Sequence, residues 1–225
     1  MSKTVWRWPT MAKIQLEWTA LSKIVPEPST TLSRTAQVAE KRALIYQFRN
    51  QLLGQQLKVN LENTDFAKTA YGKPYLIDYP NFHFNHSHSQ QHYVLATSEK
   101  IAHLGVDIED LQRQVRFESL ALHAFHPEEL KNWQLENQDS AYWFKIWTTK
   151  EAVLKASGLG IRLDLKELNT QCLADQNGGM CEHPKLGVFA YHNIQLPHVM
   201  LTVAWQSEQS CKGFNFPQIE LKQYA

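Results

Sequence analysis

The sequence predicts an α+β fold laid out as two halves of similar size. Three observations carry this. Several short runs alternate apolar and polar residues, the period-two mark of half-buried strands. Two longer stretches repeat their apolar residues at spacings of three and four, the mark of amphipathic helices. The strand-like and helix-like stretches are interleaved along the chain, with no short repeat and no low-complexity segment.

"KIQLEWTAL" is an early strand, with Ile14, Leu16 and Trp18 on one face. The Pro-rich "VPEPST" is a loop. It leads into a helix over "STTLSRTAQVAEKRALIYQFRNQLLGQQL", where Leu44, Ile45, Phe48 and Leu52 recur and Gly54 is expected to end it. "YGKPYLIDYP" is turn-rich. "NFHFNHSHS" is extended, with Phe82, Phe84 and His86 on one side and His83 and Asn85 on the other. "HYVLATSE" and "HLGVDIED" are two more strands, expected to form a hairpin across "SEKIA". "RFESLALHAFHPEELKNW" opens a helical stretch, and His126-Pro127-Glu128-Glu129 is a good helix start, with Pro at N1 and acids in the first turn. "DSAYWFKIWTTKEAVLKASGLG" is the strongest helix, capped by Asp139 or Ser140 and ended by Gly158. Strands over "LGVFAYHNI" and "HVMLTVAWQ" follow, with a turn expected at Gly178-Gly179.

Composition narrows the function classes. With 225 residues and 43% hydrophobic content, the chain can bury a sizeable core. A net charge of +1, from 23 basic and 22 acidic residues, argues against a sequence-independent nucleic-acid binder. Cys172, Cys181 and Cys211 are odd in number and form no CxxC pair, so neither a disulfide framework nor a Cys-based zinc site is expected. Reduced thiols point to the cytoplasm. No signal-peptide apolar core and no 18-residue apolar run are present, so no membrane span is expected.

Two stretches carry chemistry. In "LGVDIED", period two puts Asp107 and Glu109 on one face of a strand, while Val106 and Ile108 face the core. Adjacent carboxylates repel unless a cation lies between them, and hard oxygen donors suit Mg²⁺. An exposed acidic strand end has the same spacing. In "WFKIWTTKEAVLKASG", helical geometry lines up Trp143, Ile146, Trp147, Lys150 and Leu154. Lys150 thus falls within an apolar stripe and is expected to pair with a carboxylate inside the fold. Glu151 and Lys155, at i and i+4, flank that stripe. They are either a plain helix-stabilising pair or a third metal-binding acid and a phosphate-binding lysine.

The pair "GVDIED" and "WTTKEAVLKASG" resembles the paired signature of the 4′-phosphopantetheinyl transferases, G-[IV]-D-[IV]-E and W-x-x-K-E-[AS]-x-x-K-x-x-G. "YGKPYL" and "FNHSHS" are similar to that family's GKP turn and F-N-x-S-H-S strand. "AFHPEEL" is similar to its F-[ST]-x-x-E segment, with His126 where Ser or Thr is usual. The motifs come in family order over roughly residues 34 to 170, and the length resembles the monomeric, surfactin-synthetase-activating (Sfp) type.

The resemblance implies two α/β halves related by a pseudo-two-fold, divided near Gly105 into 1–105 and 106–225, with coenzyme A between them. It implies transfer of the phosphopantetheine arm of coenzyme A to a serine of an apo acyl, peptidyl or polyketide carrier protein, releasing adenosine 3′,5′-bisphosphate. Asp107, Glu109 and Glu151 would hold Mg²⁺ on the diphosphate. Lys155 would touch the same diphosphate, and Glu151 or a water would act as base. Arg42, Lys73, Ser87 and His88 would serve coenzyme A phosphates, with Arg34 a weaker candidate. Arg113 and Arg116 form a candidate patch for the carrier.

Two other classes compete. One is a coenzyme-binding module without catalysis, which the complete acid set disfavours. The other is a Zn²⁺ or Ni²⁺ protein built on His83, His86 and His88. Strand alternation opposes it, because His86 and His88 share one face and His83 the other. His83 and His92 are expected to be incidental.

Overall fold

The computed structural model describes residues 12–27, 32–160, 162–207 and 216–224; Cys211 and the first eleven residues lie outside them. The alternating stretches form strands β1 (Lys13–Ala20), β4 (His83–His88), β5 (His92–Ser98), β6 (Leu104–Asp110), β8 (Gly187–Gln195) and β9 (Val199–Gln206). Short strands β2 (Phe66–Lys68) and β3 (Pro74–Leu76) pair with each other, and β7 (Gly178–His183) and β10 (Gln218–Gln223) complete the set. The helices are α1 (Arg34–Leu57), α2 (Phe117–Ala124), α3 (Pro127–Leu135) and α4 (Ser140–Ser157). The mixed α and β content expected from the sequence is therefore present.

Two four-stranded sheets organise these elements, in the orders β10-β1-β5-β4 and β6-β9-β8-β7. Strand alternation gives each sheet two apolar faces. Ile45, Leu52 and Leu53 of α1 pack with Phe84, Tyr93 and Leu95 on the outside of the first sheet. Ile14, Leu16, Val94 and Ala96 pack with Val106, Ile108, Leu201 and Val203 between the sheets. Trp143, Phe144, Ile146 and Val153 of α4 pack with Met200 and Ala204 on the outside of the second. The layers run helix, sheet, sheet, helix.

The helix ends obey their capping residues. Asp139 accepts from Tyr142 N at 2.7 Å, and Gly158 closes α4 with φ +75°. His126 caps α3, with Pro127 at N1 and Glu129 returning a bond to His126 N.

Three expectations change. The strands β5 and β6 do not form a hairpin. Both edges of β5 are already taken, by β1 and β4, so the chain crosses to the other sheet and β6 pairs with β9. Gly54 does not end α1, which runs on to Leu57; it admits the returning backbone, since a Cβ there would lie 2.5 Å from Val59 O. Gly178 and Gly179 are not a turn but the start of β7, where a Cβ on Gly179 would meet the Tyr191 hydroxyl at 2.5 Å. In addition, β10 runs parallel to β1, so the last described strand completes the first sheet although it follows 106 in sequence.

Candidate active site

The site is a consequence of how closely α4 lies on β6. Gly105 has no side chain, and a Cβ there would overlap Ala152 O and the Ala156 backbone. The small residues Ala152 and Ala156 complete the contact and are fully buried. Because side chains alternate, Asp107 and Glu109 share the face of Gly105 and so look toward α4. Glu151 and Lys155 lie on that helix, one turn apart.

Lys155 Nζ donates to Asp107 Oδ1 and to Ser87 Oγ, both at 2.7 Å, and Ser87 Oγ donates to Asp107 Oδ1 at 2.8 Å. The other Asp107 oxygen, Oδ2, is buried with no hydrogen-bond partner among the described residues. Arg113 Nη1 donates to both oxygens of Glu109, at 2.6 and 2.7 Å. Glu151 makes no hydrogen bond or ion pair with a described residue. Burial holds its carboxyl above the usual range, Asp107 and Glu109 push the same way, and Lys155 opposes. Glu109 is raised by burial as well; its bond to Arg113 opposes this, while Asp107 and Asp110 add to it.

As these side chains stand, no three His, Cys, Asp or Glu close into a cation site among the described residues. Lys155 and Arg113 already neutralise Asp107 and Glu109. The donor chemistry still fits a hard divalent cation. Asp107 and Glu109 raise the proton affinity of Glu151, and one buried oxygen of Asp107 has no partner among the described residues, which is a costly arrangement unless a ligand completes it.

The first sheet meets this cluster along its edge strand, β4. Its inward, alternate residues reach β6: Asn85 Oδ1 accepts from Val106 N at 2.9 Å, Ser87 binds Asp107, and Ser89, just beyond the strand, donates to Asp110 Oδ1 at 2.8 Å. His86 and His88 occupy the places between, while His83 shares the parity of Asn85 and Ser87. His86 is half-buried against the rings of Tyr46 and Tyr93, at 6.0 and 5.8 Å, and desolvation pushes it down to about 3, so it stays neutral. His83 is lowered by burial. His88 is exposed, its Nδ1 3.1 Å from Ser89 O. His92 is not incidental: its Nδ1 lies 2.6 Å from Asp110 Oδ1.

The other expected residues are placed as follows. Lys73 is spent on backbone, donating to Leu104 O at 2.9 Å and Ala156 O at 3.1 Å, and burial lowers it to about 8. It thereby ties the segment before β3 to β6 and to the end of α4. Arg42 is exposed on α1 and donates to Tyr46 Oη at 3.1 Å, without contact to the carboxylate cluster. Arg34 is the exposed first residue of α1, and Arg116 is the exposed residue that precedes α2. The guanidinium of Arg113 is committed to Glu109. Lys150 pairs with Glu129 at 2.7 Å, both 1% exposed, and also donates to Leu165 O and Leu168 O. Trp147 stacks on Trp143 at 5.2 Å and is partly buried core.

Sequence reasoning missed Asn85, Ser89 and Asp110. Their signal was in plain view: small polar residues at period two between the histidines, and a third acid after Glu109.

The segment that carries this site resembles a known family. Residues 103–203, which hold β6 and α4 entire, match the model of the 4′-phosphopantetheinyl transferase superfamily. Through that segment the chain is similar to the superfamily. It is 32% identical over 112 residues to a 4′-phosphopantetheinyl transferase of Bacillus subtilis, covering 49% of this chain and 48% of that one. It is 32% identical over 151 residues to the transferase psf-1 of Bacillus pumilus, covering 61% and 62%. It is 27% identical over 126 residues to the transferase Sfp of Bacillus subtilis strain 168, covering 55% and 54%. The matched stretch spans about half the length of these curated relatives. No described helix is long and apolar enough to cross a membrane.

Proposed function

We propose that this chain transfers the 4′-phosphopantetheine arm of coenzyme A to a serine of an apo acyl, peptidyl or polyketide carrier protein. The observation that carries the reading is the convergence of Asp107, Glu109, Glu151 and Lys155 between β6 and α4, with one buried carboxylate oxygen left without a partner among the described residues.

In this reading the carrier serine oxygen attacks the diphosphate phosphorus that bears the pantetheine. The bond from that phosphorus to the bridging oxygen breaks, and adenosine 3′,5′-bisphosphate leaves with the electron pair. The serine proton passes to Glu151, directly or through one water. An acid held above its usual range, with no hydrogen bond to a described residue, suits that task better than an ordinary surface glutamate. Lys155 turns its ammonium from Asp107 to the diphosphate and neutralises charge there as the bond breaks. Asp107, Glu109 and Glu151 would hold Mg²⁺, which supplies charge neutralisation on the diphosphate when bound.

Arg42 and His88 serve the 3′-phosphate from the first half. Ser87 adds a hydroxyl at the seam. Lys73 acts there only if it leaves its two carbonyls. The halves 1–105 and 106–225 are related by a pseudo-two-fold: each carries one long helix and the larger part of a four-stranded sheet, and β10 of the second half completes the first sheet. The chain works as a cytoplasmic monomer.

The test is a carrier-modification assay. Protein, Mg²⁺, coenzyme A and a panel of apo carriers should yield carriers heavier by one phosphopantetheine. No mass shift on any carrier in the panel rejects the reading. Tight coenzyme A binding with no turnover would favour the non-catalytic module instead.

A further inference from the structure

Asp110 ends β6 and takes no part in the reaction proposed above. It is 4% exposed, and both of its oxygens are engaged by the turn between β4 and β5. Its Oδ1 accepts from Ser89 Oγ at 2.8 Å and lies 2.6 Å from His92 Nδ1; its Oδ2 accepts from Gln91 N at 3.0 Å. Ser89 Oγ also accepts from His92 N at 3.0 Å, so the turn is tied internally as well. The Asp110 carbonyl accepts from Arg113 N at 3.0 Å, which shapes the bend that brings Arg113 back to Glu109.

One carboxylate of the second sheet therefore clamps a whole turn of the first. The location matters. Ser87 and His88 are the last two residues of β4 before that turn, and Asp107 lies three residues before Asp110 on β6. Of the three side-chain links from β4 to β6, the Ser87 link lies in the site itself and rearranges if Lys155 leaves Asp107. The Asn85 and Ser89 links flank it and hold the register while it opens. Of these two flanking links, the Ser89 link is the one with a charged acceptor, and charge-assisted bonds are the stronger kind.

We propose that Asp110 is a positioning residue for coenzyme A: by clamping the Ser89–His92 turn it holds Ser87 and His88 of the first half in register with Asp107 and Lys155 of the second. A ligand that touches both halves gains from that register. A ligand that touches one half does not. The inference rests on the functional reading given above.

The test is isothermal titration of the full chain with Mg²⁺ and two probes. Coenzyme A carries both the 3′-phosphate and the diphosphate; adenosine 3′-phosphate carries only the former. Asp110→Asn should weaken coenzyme A about tenfold, as loss of preorganisation does, and leave adenosine 3′-phosphate unchanged. His92→Gln removes one of the clamp's contacts and should act in the same direction, less strongly. It also decides the matter if Asp110→Asn does not fold. Equal weakening of both probes, which a purely structural role predicts, overturns the inference, and so does no weakening of either. A wild-type chain that fails to bind coenzyme A overturns the functional reading and this inference together. A chain that binds coenzyme A but modifies no carrier leaves the inference intact.

Discussion

Gly105 on β6 and Ala156 on α4 touch backbone to backbone, so closely that no Cβ fits between them. Every distance in the candidate site depends on this contact, because it sets how far Glu151 and Lys155 stand from Asp107 and Glu109. The obstructing atoms are main chain and cannot swing aside. Gly105→Ala should therefore push α4 outward, costing about 1–3 kcal/mol as overpacking does. Carrier modification should fall much further than the melting temperature indicates. A variant that folds and keeps full activity would show that the close approach is not needed.

Lys155 and Asp107 form a second pair whose two members should behave differently. Asp107→Asn removes a proposed metal-binding oxygen, while Lys155→Met removes a charge proposed for the diphosphate. Each should lower transfer by about 10²–10³-fold, the usual scale for loss of one electrostatic group. Raising the Mg²⁺ concentration should partly restore Asp107→Asn and do nothing for Lys155→Met. Identical responses to Mg²⁺ would reject the division of roles.

How much of this was legible beforehand follows from what each signal depends on. The strand face of Asp107 and Glu109 and the helix face of Lys150 follow from periodicity, a local property, and both stand as read. The pairing of β5 with β6 was misread because pairing is not local. Two adjacent strands with a polar connection suit a hairpin, and only the occupied edges of β5 forbid it. In the histidine stretch the residues that join the halves are Asn85, Ser87 and Ser89, of which only Ser87 is a site residue expected from the sequence. Their partners, Val106, Asp107 and Asp110, lie about twenty residues on. Partners across a seam carry no periodic signature.

The histidines should separate by the face they occupy. His88 is exposed at the end of β4, whereas His83 is part-buried beside Lys73, whose charge helps to lower it after burial. His88→Ala should weaken coenzyme A binding about tenfold, the effect of one lost charge-assisted contact. His83→Ala should change it little. Titration of both variants checks this, and the reverse order would remove His88 from the phosphate site.

Lys150 and Glu129 are a buried pair that Thr170 and His126 also engage through Glu129. Glu129→Gln leaves the Lys150 ammonium without its counter-charge and should destabilise the chain by about 3–5 kcal/mol, the usual cost of breaking one side of a buried pair. Lys150→Met with Glu129→Leu should cost less than either single change. Denaturant unfolding gives the comparison, and simple additivity would show that the two groups act independently.

Glu151 gives the pH prediction. Its carboxyl is raised above the ordinary 4.5, chiefly by burial. A folded-state value above the unfolded one means that the folded chain binds more protons through this window. Stability therefore falls as pH rises from about the unfolded value to the folded one, and the loss is complete above it. Glu151→Gln cannot ionise and escapes that loss. At pH 7 it should melt at a higher temperature than the wild type, and near pH 4 the two should converge. Transfer activity should move the other way. The wild type needs the ionised base, so its activity should fall toward acid pH, and Glu151→Gln should be inactive throughout. A Gln variant that melts lower at pH 7 would mean that Glu151 is held by contacts that its amide cannot make.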